Sequence, residues 1–181
     1  MDKTRLYIKG VTQLRQFDNI GLIVLTDASQ ARHVSMPCDM ARLYDLEGFF
    51  KKKHTSIDTL ISVLWSIVRD NTGRLYEVHI TDVSHGKYRM EFQDVEKSIV
   101  YELEPTAAIT LAAVADLPIY ISPKLFDMQG VNYNPDNEKM SLPLNVLSYE
   151  LLENALRRAV DDEDYRMAMV IKQEMDNRKN K

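Results

Sequence analysis

The chain has 181 residues, 45% hydrophobic and 28% charged, with 23 Lys and Arg against 27 Asp and Glu and a net charge of −4. That length fits one domain with or without an appendage, and its core can bury roughly 70% of the unfolded surface without covalent staples. A single cysteine, Cys38, excludes a disulfide framework or a cysteine-based zinc site within one chain, and the acidic balance confines phosphate binding to a local patch.

The N-terminal residues alternate charged and apolar side chains and lack the apolar core of a signal peptide. The longest apolar stretches are too short or too interrupted to span a bilayer, so the expectation is a cytoplasmic protein with no membrane partner. Residues 6–11, 20–25 and 32–36 read as strands, the last ended by Pro37. Met40, Leu43, Tyr44 and Leu46 suggest a short helix stopped by Gly48. The compact basic run Lys51, Lys52, Lys53 is the candidate for guiding nucleic acid; a solvated loop is its plainer reading.

Over 57–69, Ile57, Leu60, Ile61, Leu64, Trp65 and Val68 recur at the spacing of one broad apolar helix face, which predicts a helix packed on a sheet. Two alternating runs follow. Tyr76, Val78 and Ile80 interleave with Glu77, His79 and Thr81; after Ser84-His85-Gly86, Tyr88, Met90 and Phe92 interleave with Lys87, Arg89 and Glu91. They predict a hairpin with one buried and one polar face, and Gly86 supplies the positive φ of its turn. Residues 98–103 form another strand. Pro105 opens an alanine-rich helix to Ala115, where its missing N–H costs nothing, and 119–121 form a last strand.

Residues 132–146 read as a polar linker, rich in Asn, Pro and Asp. Beyond it, 147–181 has purely helical patterning interrupted by Asp161-Asp162-Glu163-Asp164, which predicts a two-helix hairpin. Two helices alone bury little, so the hairpin needs a surface to dock on.

The four histidines stand in no metal-ligand spacing, and the six glycines form no phosphate loop. Metal-assisted phosphodiester cleavage needs converging carboxylates around a magnesium-type ion. Asp58, Asp82, Glu102 and Glu104 have the right chemistry. Each also has a structural alternative: dipole complementarity for Asp58, a turn for Asp82, a helix N-terminus for Glu104.

Ile57-Asp58-Thr59-Leu60-Ile61, Val78-His79-Ile80-Thr81-Asp82 with Gly86-Lys87-Tyr88, and Glu102-Leu103-Glu104-Pro105-Thr106-Ala107-Ala108 together resemble the bifunctional nuclease family (the BFN domain). The resemblance covers about residues 6–131, which assigns 1–131 as a domain, and implies an α+β fold, a mixed sheet with packed helices, a homodimer, and activity on DNA and RNA in some members. It carries Asp58 and Glu102 over as acids. Where the family has arginine and a second aspartate this chain has Glu104 and Ala107, and Ile57 stands in place of a histidine. The hairpin resembles the UVR motif through residues that include Leu156, Tyr165, Ala168, Ile171 and Lys172, which implies docking to a protein partner.

The expected architecture is therefore α+β with a C-terminal two-helix hairpin. Two functions remain in view. One is a nuclease using Glu102, Asp58 and Asp82 with magnesium or manganese. The other is a catalytically silent dimeric adaptor that binds a partner through the hairpin.

Overall fold

A computed structural model describes residues 2–13, 20–51, 60–84, 86–133 and 143–179. Among these, eight strands form one mixed sheet: β1 (Thr4–Gln13), β2 (Ile20–Thr26), β3 (Arg32–Asp39), β4 (Tyr76–Ser84), β5 (Lys87–Asp94), β6 (Ile99–Leu103), β7 (Ile119–Ile121) and β8 (Val131–Asn132). Their spatial order is β6-β5-β4-β7-β1-β2-β3-β8, all antiparallel except the β4–β7 pair. The helices are α1 (Met40–Lys51), α2 (Leu60–Thr72), α3 (Pro105–Ala115), α4 (Pro123–Gln129), α5 (Tyr149–Asp161) and α6 (Tyr165–Lys179). The fold is α+β, as the sequence predicts.

The sheet curls around its helix side. The Tyr88 hydroxyl on β5 donates to the carbonyl of Ser35 on β3, 3.2 Å away. Four strands separate β5 from β3 in the sheet order, so a flat sheet would hold them roughly 24 Å apart. Only a curved sheet brings them within one side chain's reach. Inside the curve, Leu6, Ile23, Leu25, Met36, Ile80, Met90 and Ile121 pack with Ile109 and Ala112 of α3 and Leu46 of α1.

Local chemistry explains the helix starts. Asp39 accepts a hydrogen bond from the Arg42 amide at the head of α1. Glu104 caps α3 by accepting from the Ala107 amide and the Thr106 hydroxyl, and Pro105 takes the first helical position. Ser122 caps α4 and Ser148 caps α5. Arg32 ties the far end of α4 to the sheet: its guanidinium donates to the carbonyls of Phe126 and Gly130 and to the Asp127 carboxylate.

Several expectations change. α1 runs through Gly48, because Phe50 beyond it packs on the core and that contact offsets the roughly 1 kcal/mol a helical glycine costs. β3 continues past Pro37 to Asp39; among the described residues β8 pairs only with Arg32 and His33, so Pro37 lies on a stretch of edge that no described strand covers. α4 and β8 follow the strand expected to be last. The largest change concerns α2, which packs on α3, meets the sheet where Trp65 lies edge-on to Tyr76 of β4 (5.6 Å), and has no buried residue. Small alanines bring α3 close to the strands, and α2 is left beside it with one face only partly covered.

Of the expected linker, Asn132 belongs to β8 and Val146 is fully buried in the main core. A single 3-10 turn (Leu144–Val146) leads into the hairpin. The hairpin has its own cluster of Leu147, Leu152, Ala159, Ala168, Ile171 and Met175. No helix among the described residues is long and apolar enough to cross a membrane.

Candidate functional site

One row of side chains crosses the open face of the sheet, opposite the helices. Pairing aligns Glu102 of β6 with Glu91 of β5, Glu91 with His79 of β4, His79 with Tyr120 of β7, and Tyr120 with Arg5 of β1. Asp82 joins this face through a bulge in β4: the register shifts between Ile80 and Asp82, so Asp82 rather than Thr81 stands opposite Arg89. Simple alternation puts Thr81 there, and the extra residue escapes sequence reading.

Arg89 separates two of the predicted acids. Its Nε lies 3.2 Å from Glu102 Oε1, and Asp82 flanks it on the other side. The Arg89 and Glu102 side chains are more than half exposed, so the pair contributes at most about 1 kcal/mol. Asp82 and Glu102 stand two strands apart, roughly 10 Å by sheet spacing. A cation shared by both carboxylates would have to displace the guanidinium. Among the described residues no group of three His, Cys, Asp or Glu is arranged to hold a metal ion. Asp58, Lys52 and Lys53 lie outside the described residues, and Lys51 ends α1 with its side chain likewise outside them.

A denser polar cluster occupies the middle of the same face. Lys3 Nζ donates to Glu77 Oε2 at 2.6 Å, and His79 Nε2 meets the same oxygen at 2.9 Å. The Lys3 ammonium also lies 4.0 Å from the Tyr120 ring centre, and the His79 and Tyr120 rings are 5.5 Å apart. Burial alone would raise the Glu77 carboxyl, but the hydrogen bonds and charges of Lys3 and His79 outweigh it and hold the group below the usual glutamate range. Glu77 is thus a committed anion already occupied by two partners.

On the helix side, a cleft of about 290 Å³ lies at the head of α3, lined by Pro37, Gly86, Lys87, Tyr88, Glu104 and Pro105. Glu104, where the resembled family has arginine, turns its carboxylate onto the first turn of α3. The two side chains nearby that could serve as nucleophiles are held protonated. Burial, then the Asp39 and Glu104 carboxylates, pushes the Cys38 thiol up to about 11, and burial pushes the Tyr88 phenol up. Neither is an activated nucleophile at neutral pH.

The hairpin presents a different surface. Of the residues predicted to bind a partner, Ala168 and Ile171 are buried in the seam with α5 and Leu156 packs against it. Tyr165 and Lys172 point outward. Met169, one turn beyond Tyr165, is 70% exposed and Tyr165 67%.

Arg178 ties α6 to the turn that leads into the hairpin, and Gly86 ties that turn to the sheet. The Arg178 guanidinium donates to the carbonyls of Leu147 (2.7 Å) and Leu144 (3.1 Å) and pairs with Glu174 at 2.8 Å. Gly86 donates its amide to the Asn145 carbonyl, and a β-carbon there would sit 2.4 Å from the Leu147 carbonyl oxygen. Gly86 was legible as a turn glycine with positive φ; this close approach was not. No protein-family model matches the chain, and no curated protein matches it.

Proposed function

We propose that this protein is a docking adaptor, with the α5–α6 hairpin as its partner-binding element. The observation that carries the reading is the pair Tyr165 and Met169. They are adjacent on one helix face and both about two-thirds exposed, on a hairpin whose own core is already closed. Large apolar side chains left out of a completed core serve binding more readily than folding. Tyrosine and methionine suit that use, since one gives a rigid anchor and the other adapts its shape. Arg178 and the Gly86 contact hold the hairpin at a set place, so a partner's position relative to the sheet would be defined. The resemblance of this segment to the UVR motif supports the same reading.

The test is quantitative affinity capture with the full chain beside a Tyr165→Asp/Met169→Glu variant. The variant should lose a defined protein set while keeping the parent's helical circular dichroism. Equal recovery of the same proteins by both would overturn the assignment.

A second reading, metal-assisted cleavage of DNA or RNA, draws on the nuclease-family resemblance and on Asp82 and Glu102 flanking Arg89 on one face. It is checked by incubating the protein with single-stranded DNA and RNA in magnesium or manganese, with and without chelator. Metal-dependent cleavage lost in Glu102→Gln would establish it; the adaptor reading expects none.

A further inference from the structure

Strand β6 leaves a hydrogen-bonding edge open. Among the described residues it pairs with β5 alone, so alternate backbone N–H and C=O groups along Ile99–Leu103 point away from the sheet. Its side chains are unusually bare for an apolar strand: Ile99 is 40% exposed, Val100 49% and Tyr101 52%. Edges are ordinarily blunted by proline, lysine or a bulge. β6 carries none of these, and its pairing with β5 is regular throughout. The opposite end of the sheet, by contrast, closes with the two residues of β8.

We propose that β6 pairs antiparallel with β6 of a second copy of this chain, about a two-fold axis at Tyr101, joining two sheets into one. An unsatisfied strand edge accepts an extended chain, and in one register the apolar helix-side residues of this edge meet one another while no two carboxylates are directly opposed. The strand is bounded on both sides. Ser98 sits at φ 55°, a left-handed conformation that breaks the extended backbone, and Glu104 already caps α3. Only an axis at residue 101 pairs all five residues.

In that register Ile99 stands opposite Leu103, Tyr101 opposite its own counterpart, and Val100 opposite Glu102. The apolar set falls on the helix side. There it continues an aromatic row running from Trp65 of α2 through Tyr76 (5.6 Å), Phe92 (5.0 Å, stacked) and Tyr101 (6.2 Å). Val100 and Glu102 fall together on the open face. An axis at Glu102 would set two carboxylates against each other, and a one-residue slip would mix the apolar and acidic faces. The pairing goes beyond the hairpin reading and does not depend on it.

Charge reversal at one position tests the register. In sedimentation equilibrium the intact chain is expected at twice its 20.9 kDa mass. Val100→Glu places a carboxylate opposite Glu102 twice per dimer and should weaken association about tenfold. Val100→Lys, at the same site with the opposite sign, should keep or strengthen it. In a Cys38→Ser background, Tyr101→Cys should form a disulfide-linked dimer on mild oxidation, since directly opposed residues meet the required separation, whereas Val100→Cys should not. A monomer throughout the micromolar range would overturn the proposal. So would equal effects of Val100→Glu and Val100→Lys, or cross-linking at 100 in place of 101.

Discussion

Helices α2 and α3 lie side by side and invert the usual expectation. α3 reads PTAAITLAAVA and buries Thr106, Ala108, Ile109, Ala112 and Ala113. α2 reads LISVLWSIVRDNT, carries far larger apolar side chains, and buries none of them. Leu60, Val63, Leu64 and Ile67 all face solvent, while Ile61, Trp65 and Val68 are half-covered. The difference is one of approach. Alanines let the α3 backbone come near the strands, and a helix already seated there leaves its neighbour a marginal position, touching the sheet through Trp65 on Tyr76. Apolar content alone does not rank helices by depth; side-chain size and the order of layers do.

That contrast can be broken by mutation. Ile109→Ala, which empties a fully buried site, should cost about 2–5 kcal/mol in denaturant unfolding. Leu64→Ala in α2 should stay within about 0.5 kcal/mol, because its side chain is half exposed. Equal losses at both sites would mean that α2 is buried in solution. Gly86→Ala is next in size. It combines a positive φ with a methyl driven into the Leu147 carbonyl, and about 2–4 kcal/mol is expected. The loss should be accompanied by faster proteolysis of the hairpin, since the same contact anchors it.

The smallest effect concerns His33, buried on β3 with its ring edge-on to Tyr133. Burial lowers its pKa below the ordinary histidine value. The unfolded chain therefore binds a proton more readily than the folded one. Stability from neutral His33 is full above the unfolded value near 6.5 and falls as pH drops below it toward the folded pKa. Thermal unfolding followed between pH 7.5 and 5 should show this slope, and His33→Leu should flatten it; an unchanged slope would assign it to other groups.

Period and punctuation along the chain were enough for seven of the eight strands, the hairpin, the Pro105 helix and the C-terminal helix pair, but not for α4 or β8. They rest on interactions within a few residues: alternation, caps, a proline at a helix head and a turn glycine. The roles of particular residues were less accessible. Glu104 was readable as a helix-terminal acid because a carboxylate before proline suits free N–H groups. Asp82 reached the open face through a bulge that alternation does not announce. Arg178, an ordinary basic residue near a helix end, proved to be the clamp on Leu144 and Leu147.

What local chemistry specified, then, was where elements begin, end and alternate, because backbone hydrogen bonds and φ preferences are settled over short distances. Which apolar face is covered was settled by packing. The curl linking Tyr88 to Ser35, the closeness of α3 and the exclusion of α2 all follow from volumes that must fit together at once. Arg89 came to stand between Asp82 and Glu102 through the register of three successive strands, and the bulge that sets Asp82 opposite Arg89 is a feature of the assembled pair, not of alternation along the chain.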